Sequence, residues 1–328
     1  MQQPRASAAA RTEFSHRRLA LSILGCLVLA IIALVVSLPG LILGDFNSYS
    51  AAVHRALDGE AVYTAVQLAG PYHLPEISQG RGFIYPPTAV LLLIPAAFGS
   101  TAAILFMLGS LGLLAFVTTE IIRVELPAHA WIGWPVAGLL QLSPLAGDAI
   151  YVGQVTPLLA AGYGATWLWP RTSPYVAVAS GAVKIYPVVL LAWAIRNRVS
   201  MNLPLALGGL LIVAATVWLG LGAWLHFWTA LQNALPQCVP PSLGSLACAY
   251  GRTGEVLGLA AAIALALIAL RIPWPAVAYL VLAIASVVGA PDLFPNYLLI
   301  VVVGALPLAC RLASWVQRRE PACIGRLP

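Results

Sequence analysis

The chain has 328 residues, of which 61% are apolar and only 9% carry a charge. Soluble domains carry about 25% charged residues, so this composition excludes a soluble globular domain and an intrinsically disordered chain. Seventeen basic residues outnumber eleven acidic ones, for a net charge of +6, but they form no basic stripe of the kind that binds nucleic acid. The composition predicts a polytopic membrane protein whose cytoplasmic loops carry the basic excess.

Apolar segments of about 17–25 residues predict membrane helices, and the chain contains about ten of them. We therefore expect an all-α, single integral-membrane domain over residues 1–328. The predicted spans are 19–43, 87–100, 102–122, 130–147, 151–169, 175–195, 203–222, 254–271, 274–290 and 296–313. A polar notch with Asp148 and Gln154 separates the fourth span from the fifth, which indicates a broken or re-entrant helix.

The distribution of arginine predicts the orientation. Four arginines lie in the tail of residues 1–18, ahead of the first span: Arg5, Arg11, Arg17 and Arg18. Because basic residues favour the cytoplasmic side, we expect this tail and the tail of residues 314–328 to be cytoplasmic. Alternating the spans then leaves two long extracytoplasmic loops, 44–86 and 223–253. It places Glu125 outside and Arg311 inside. The arginines predicted outside are Arg55, Arg81, Arg123, Arg171 and Arg252.

The first long loop begins near Asp45, where the first span leaves the membrane. Apolar residues from Tyr49 to Leu57 recur at helical spacing, which predicts an amphipathic helix on the outer surface. A carboxylate beneath such a helix is well placed to take a proton from an incoming hydroxyl group. The alternative is that Asp45 only caps the N-terminus of this helix, since Asp is a preferred cap.

Lys184 is the only lysine of the chain, and it falls inside an apolar segment. A charge at the centre of a membrane helix costs about 2.5–3.5 kcal/mol, so such a residue usually faces a cavity or a partner. Lys184 is therefore a candidate for binding an anionic headgroup such as a lipid phosphate, with snorkelling to the outer interface as the alternative. Asp148 and Gln154 also need partners in apolar surroundings, either on another helix or on a sugar.

Further candidates lie in the loops. Tyr85 precedes a Pro-Pro pair at the start of the second span, where it is an interfacial anchor or a substrate contact. Asn296 lies at the outer edge of the last span. Cys238 and Cys248 are ten residues apart in the second loop, and an extracytoplasmic compartment permits them to pair. The sequence has no metal-binding motif and no glycine-rich nucleotide loop, so we expect neither a metal nor a cofactor.

Taken in order, these residues resemble the GT-C superfamily of integral-membrane glycosyltransferases. Within it they resemble glycosyltransferase family 87, the polyprenol-phosphate-mannose-dependent mannosyltransferases. The matching residues, spread over positions 45–187, are Asp45, Tyr49, Ala52, Leu57, Gly59, Tyr63, the Phe83–Pro87 stretch, Gly153, Gln154, Leu158, Leu159, Gly181, Lys184 and Pro187. The family usually runs longer, and it typically has a histidine where this chain has Pro295, Asn296 and Tyr297.

The resemblance implies a GT-C-like fold and an inverting transfer of a sugar, mannose in the family, from a polyprenyl-phosphate donor. The acceptor would be a lipid or glycan hydroxyl on the extracytoplasmic face of the plasma membrane. Asp45 would act as general base, and Lys184 and Arg81 would bind the donor phosphate. The candidates for contacting substrate are Tyr49, Tyr85, Gln154 and Asn296.

Two other classes of function stay open at this point. Transporters and flippases for lipid-linked glycans often carry inverted repeats and paired broken helices. This chain has no evident repeat and has one large first loop with a carboxylate, which favours an enzyme. A structural or assembly role is the third alternative.

Overall fold

The computed structural model describes residues 16–73, 82–236, 238 and 242–318. Apart from two short strands, the regular elements of this part of the chain are helical, which confirms the all-α class. Arg81, the second phosphate candidate, lies outside the described residues. The α-helices are α1 (His16–Ser37), α2 (Gly44–Leu57), α3 (Ala65–Ala69), α4 (Pro87–Leu92), α5 (Gly99–Glu125), α6 (Gly133–Gln141), α7 (Pro144–Val152), α8 (Thr156–Leu168), α9 (Ser173–Val183), α10 (Leu191–Arg196), α11 (Asn202–Leu219), α12 (Leu221–Asn233), α13 (Leu246–Tyr250), α14 (Arg252–Arg271), α15 (Pro275–Val288) and α16 (Leu298–Gln317).

Five helical segments of the described chain are long and apolar enough to cross a membrane. They are Leu19–Ser37, Ile94–Glu125, Asn202–Leu219, Arg252–Arg271 and Pro295–Gln317. Two shorter apolar helices, Tyr186–Arg196 and Pro275–Val288, accompany them. These lengths and compositions are those of a multi-pass membrane protein. Ten crossings stay a prediction, because the other predicted spans fold as helices shorter than the roughly 20 residues that a crossing needs.

Helices α1 and α5 pack against each other in opposite directions. Cys26 of α1 clusters with Ala115 of α5, whereas Leu34, further along α1, clusters with Met107, an earlier residue of α5. Helix α5 therefore starts near the end of α1 and finishes near its beginning. We call the end of the helical body that holds Asp45 the Asp45 end, and the opposite end, where α5 finishes, the Arg311 end.

The predicted topology is wrong in its middle part. It places Glu125 and Arg311 on opposite sides of the membrane, yet the two side chains form an ion pair with 2.8 Å between Oε2 and Nε. Cys310 also packs against Ile122. The final residues of α5 and the later part of α16 therefore share one end of the body. Arg123 lies in the last turn of α5 and belongs to the same end.

Two misassigned segments explain this difference. Residues 87–98 do not run the length of the body, since they form α4 and a 3₁₀ turn that pack beside α2. The predicted span 175–195 is instead a hairpin, because the chain reverses direction at Lys184, between α9 and the 3₁₀ turn that leads into α10. Trp193 of α10 donates a hydrogen bond to the carbonyl of Thr166, at 3.2 Å, so the chain has returned to the level of Thr166. These two differences invert the direction in which the segments between residues 98 and 184 run, relative to the predicted topology.

The two long loops are tied together at the Asp45 end. Strand β1 (Tyr72–His73) pairs in parallel with strand β2 (Ala234–Leu235), so a residue pair from each loop shares backbone hydrogen bonds. The Tyr72 hydroxyl also donates a hydrogen bond to the carbonyl of Ala230, at 2.8 Å. The described parts of the two loops therefore form one connected cap over this end.

The second loop is closed by a disulfide between Cys238 and Cys248, whose Cα atoms are 5.3 Å apart. Ser245 caps α13 by accepting a hydrogen bond from the Cys248 amide at 3.3 Å, which fixes the second cysteine. The Leu243 amide donates to the carbonyl of Leu293, at 2.7 Å. This bond ties the loop to the turn that precedes α16.

Helix α2 begins earlier and lies deeper than the sequence predicts. Its predicted apolar face is buried, except for Leu57, which is 54% exposed. The helix starts at Gly44, so Asp45 lies within its first turn. Burial of this face holds α2 against the other helices rather than on an outer surface.

Candidate functional site

The backbone just before α2 has an unusual conformation, which determines where Asp45 lies. Leu43, the residue before the helix, has a left-handed conformation with φ of 51°. The amides of Ile42 and Leu43 both donate to the carbonyl of Tyr151, at 3.1 and 3.0 Å. Leu43 is the N-cap and makes no side-chain cap bond. The Asp45 carboxylate instead accepts a hydrogen bond from Gln154 Nε2, at 2.9 Å, so it does not serve as the cap.

Gly153 lets α2 approach the break between α7 and α8. Its φ is +71°, in the left-handed region that glycine tolerates. A Cβ atom at this position would lie 2.8 Å from Phe46 Cβ and 3.0 Å from Leu43 Cδ2, so a side chain would push α2 away. The close approach places the next residue, Gln154, beside Asp45.

A chain of hydrogen bonds continues from Gln154 to a second carboxylate. The Thr156 hydroxyl contacts Gln154 Oε1 and, at 3.1 Å, Asn296 Oδ1. Asn296 Nδ2 donates to Asp148 Oδ2 at 2.6 Å. Gln154, Thr156 and Asn296 are all buried. Two carboxylates therefore each hold one side-chain amide, and the two amide oxygens face the same hydroxyl group.

Lys184 lies at the turn between α9 and the segment 186–196, which runs back alongside α9. It is only 7% exposed, so it does not snorkel to solvent in this structure. Its Nζ donates a hydrogen bond to the Tyr297 hydroxyl at 3.1 Å and lies 4.3 Å from the centroid of the Tyr297 ring. The rings of Tyr85 and Tyr186 follow at 5.7 and 5.9 Å. Aromatic faces and the C-terminus of α9 both favour a positive charge here.

Tyrosine hydroxyl groups connect the Asp45 side of the cluster to the Lys184 side. Tyr49 and Tyr85 share a hydrogen bond at 2.9 Å, and Tyr63 donates to the carbonyl of Tyr85 at 2.7 Å. Thr88, after the Pro-Pro pair, donates to the carbonyl of Ala182 at 2.7 Å. The aromatic segment of the first loop is thereby fixed against the turn at Lys184.

The structure brings together the six described candidate side chains. They are Asp45, Tyr49, Tyr85, Gln154, Lys184 and Asn296. Sequence reasoning did not single out Thr156 and Tyr297. Both lie next to polar interruptions of apolar segments, and that position was the one signal available. For Asp148 the sequence leaves two partners open, another helix or a sugar. In the structure its partner is Asn296, in the segment that leads into α16.

The charges of the cluster influence one another without direct pairing. Burial raises the pKa of the Asp45 carboxyl above its ordinary value. The Lys184 ammonium and the Gln154 hydrogen bond oppose this rise, whereas the negative charge of Asp148 adds to it. Among the ion pairs of the described residues, none includes Asp45 or Lys184. A carboxylate, an ammonium group and neutral hydrogen-bonding groups thus share one buried environment.

Two cavities of the described structure lie outside this cluster. One, of about 210 Å³, lies between the turn after α2 and the junction of α11 with α12. The other, of about 330 Å³, is an apolar groove between α1 and α5. Asp45 and Lys184 line neither of them. Within the described ranges there is also no group of three or more His, Cys, Asp or Glu side chains that could hold a metal ion.

The fold and the cluster define the class of protein, which is an all-helical, multi-pass membrane protein with charged groups buried at one end. Comparisons with protein-family models, characterised proteins and solved structures return no match. The resemblance to family 87 therefore stands on the residues of the sequence alone.

Proposed function

We propose that the protein is a membrane glycosyltransferase that moves a sugar, mannose in the first instance, from a polyprenyl-phosphate donor to a lipid or glycan hydroxyl. The observation that carries this proposal is the meeting of Asp45, Gln154 and Lys184 from three distant parts of the chain. The charges of Asp45 and Lys184 influence each other, and neutral groups rather than opposite charges hold these two side chains. Such an arrangement leaves a base and a cation available to a substrate.

The proposed reaction assigns a separate task to each charge. The acceptor hydroxyl attacks the anomeric carbon of the donor sugar, and the bond between that carbon and the phosphate oxygen breaks with inversion. Asp45 takes the hydroxyl proton, a role that typically contributes about 10²–10⁴-fold to rate. The polyprenyl phosphate leaves with the bonding electrons, and the Lys184 ammonium stabilises its charge. Tyr85 and Tyr297 lie against Lys184, so donor binding has to displace these rings.

The corrected chain path supports an extracytoplasmic site. At the Asp45 end, the described arginines of the loops are Arg55 and Arg252. The Arg311 end collects more of them: Arg123, Arg171, Arg196, Arg271 and Arg311. Basic residues concentrate on the cytoplasmic side of membrane proteins. We propose that the chain crosses the plasma membrane ten times and that the Asp45 end faces outward.

A lipid-linked donor agrees with the absence of a glycine-rich nucleotide loop from the sequence. Activated sugar on a polyprenyl phosphate is already present in the bilayer, so the protein needs no nucleotide site and no metal to use it. The apolar surfaces of the helices bring the carrier to the cluster from the side.

Incubation of the purified protein with radiolabelled polyprenyl-phosphate sugars and a membrane lipid extract tests the proposal. Mannosyl, glucosyl and arabinosyl donors are compared in parallel, with Asp45→Asn protein as the control. We expect one donor to give a labelled lipid or glycan product that the control does not form. Absence of product from every donor, with a correctly folded protein, contradicts the proposal.

A transporter for lipid-linked glycans is the second candidate, because broken helices meet at Gly153 and at Lys184, as they do in transporter binding sites. Reconstitution into vesicles with a fluorescent lipid-linked sugar separates the two functions. Movement of the intact lipid between leaflets, without transfer of its sugar, favours the transporter.

A further inference from the structure

Asp148 is a second carboxylate of the cluster, and the proposed transfer reaction gives it no task. It lies on α7 and is half-buried. Its Oδ2 atom accepts two hydrogen bonds from Asn296, one from Nδ2 at 2.6 Å and one from the backbone amide at 3.3 Å. Asn296 belongs to the 3₁₀ turn that leads into α16. One carboxylate oxygen therefore fixes both the backbone and the side chain of this turn.

The first consequence concerns Asp45. A carboxylate accepts hydrogen bonds and donates none, so Asp148 orients the Asn296 amide with its nitrogen toward α7 and its oxygen toward Thr156. The single proton of the Thr156 hydroxyl lies between Asn296 Oδ1 and Gln154 Oε1, and Gln154 Nε2 donates to the Asp45 carboxylate. Asp148 therefore fixes one end of a run of contacting polar side chains, and the other end of this run is the proposed base.

The second consequence concerns Lys184. The residue after Asn296 is Tyr297, whose hydroxyl accepts the hydrogen bond of the Lys184 ammonium. Because Asp148 binds the backbone amide of Asn296, it also sets the position of the Tyr297 side chain. The proposed base and the proposed phosphate-binding cation thus depend on the same anchor.

We infer that Asp148 is a positioning residue that sets the relative positions of Asp45 and Lys184 for sugar transfer. It acts on Asp45 through Asn296, Thr156 and Gln154. It acts on Lys184 through Tyr297. This inference rests on the proposed function, since the relative position of Asp45 and Lys184 matters only if the two groups act on one substrate. Asp148 itself touches neither substrate nor the reacting atoms in this scheme.

The inference makes a prediction that a purely structural role does not. The groups whose charges act on Asp45 are Lys184, which lowers its pKa, and Asp148, which raises it. The neighbouring phenols are Tyr49, Tyr85 and Tyr297. Asp148→Asn removes the negative charge while keeping the side-chain size. We expect the pKa of Asp45 to fall, so the acid limb of the rate profile moves to lower pH.

The same variant should lower kcat at its optimum pH by at least about tenfold, the loss that one charged hydrogen bond carries. Asp148→Glu, which keeps the charge but displaces it, should lower kcat while leaving the acid limb near its wild-type position. Thr156→Val should act likewise, because it interrupts the hydrogen-bond chain without changing a charge. Asp58→Asn, an exposed carboxylate at the end of α2, is the matched control and should leave both quantities unchanged.

A second measurement works whether or not the protein transfers sugar. Carbodiimide labelling of Asp45 requires the protonated carboxyl, so the extent of labelling against pH, measured by peptide mass spectrometry, reports its pKa. Asp148→Asn should move the labelling midpoint to lower pH, and Asp58→Asn should not. A wild-type protein without transfer activity contradicts the proposed function, and labelling still decides the link from Asp148 to Asp45. Unchanged labelling midpoint in the folded Asp148→Asn variant, or unchanged kcat in an active one, overturns the inference.

Discussion

The carboxylates Glu125 and Asp45, at opposite ends of the helical body, are held in different ways. At the Arg311 end, the Glu125 carboxylate receives the Arg311 guanidinium at 2.8 Å and the indole NH of Trp167 at 3.0 Å. At the Asp45 end, the carboxylate of Asp45 is held by an amide, and the ammonium of Lys184 is held by a phenol. Charges that neutralise each other stabilise a fold, whereas charges held by neutral groups remain available to a ligand.

The helices at the Asp45 end are also interrupted beside these charged groups. At the Asp45 end the chain breaks between α7 and α8 beside Gly153, and it turns sharply at Lys184. A broken helix leaves backbone groups without partners, which an apolar surrounding tolerates only where protein or water covers them. The polar residues that the breaks bring together are those of the candidate site. The helix breaks at Gly153 and Lys184 and the charged groups Asp45 and Lys184 therefore lie at the same end.

Asp45→Asn has the largest expected effect at the Asp45 end. If Asp45 is the base, we expect sugar transfer to fall by about 10²–10⁴-fold. The melting temperature should stay equal or rise, because burial raises the pKa of Asp45 and so disfavours its charged form in the folded protein. Transfer assays and thermal unfolding of the purified variant check both statements. A variant with normal turnover removes Asp45 from the mechanism.

Lys184→Met keeps the length of the side chain and removes its charge. We expect donor affinity to fall by about 10–100-fold, the range of a hydrogen bond to a charged group. Because Lys184 lowers the pKa of Asp45, its loss raises that pKa, and the acid limb of the rate profile moves to higher pH. Donor titrations and rate profiles measure both effects, with Arg311→Met as the control from the opposite end. Equal donor affinity in the two variants contradicts the assigned role of Lys184.

Gly153→Ala tests whether the helix break supports the site. The left-handed conformation costs a residue other than glycine about 1–2 kcal/mol, and the added Cβ meets Phe46 at 2.8 Å. We expect lower stability and a longer distance between Asp45 and Gln154, with transfer reduced accordingly. Gly147, whose added Cβ meets nothing within 4 Å, supplies the matched Gly147→Ala control. Comparable losses in the two variants argue against a special role for the break.

Glu125→Gln has the smallest expected effect. Arg311 is 45% exposed in its side chain, and such partly exposed ion pairs contribute about 0–1 kcal/mol. We expect a small loss of thermal stability with unchanged donor affinity and an unchanged rate profile. If this substitution instead alters donor affinity, the contrast between the two ends does not hold.

The sequence predicted which polar residues need partners better than it predicted the path of the chain. Asp45, Gln154 and Lys184 stand out because polar groups are rare in apolar segments and need partners there. Tyr297 does not stand out in this way, because tyrosine is common at membrane interfaces. Its role depends on a contact with Lys184, 113 residues away.

Length and hydropathy alone could not give the crossings. Residues 87–98 are as apolar as a crossing segment, and only their packing beside α2 shows that they stop short. Lys184 looks like an interruption within one span, whereas the chain reverses at that residue. Whether the chain reverses at such a residue depends on the side chains that the turn contacts, and these are distant in the sequence.

The position of Asn296 and Tyr297, just ahead of α16, has a consequence for biosynthesis. Asp45 emerges from the ribosome about 250 residues before the side chains that complete its surroundings, and such long-range contacts form late. Until then Lys184 lacks the Tyr297 hydroxyl, and the Thr156 hydroxyl beside Gln154 lacks Asn296. The buried polar cluster of the nascent protein is therefore complete only once α16 has entered the bilayer, and a partly inserted chain holds Asp45 and Lys184 in unfinished surroundings.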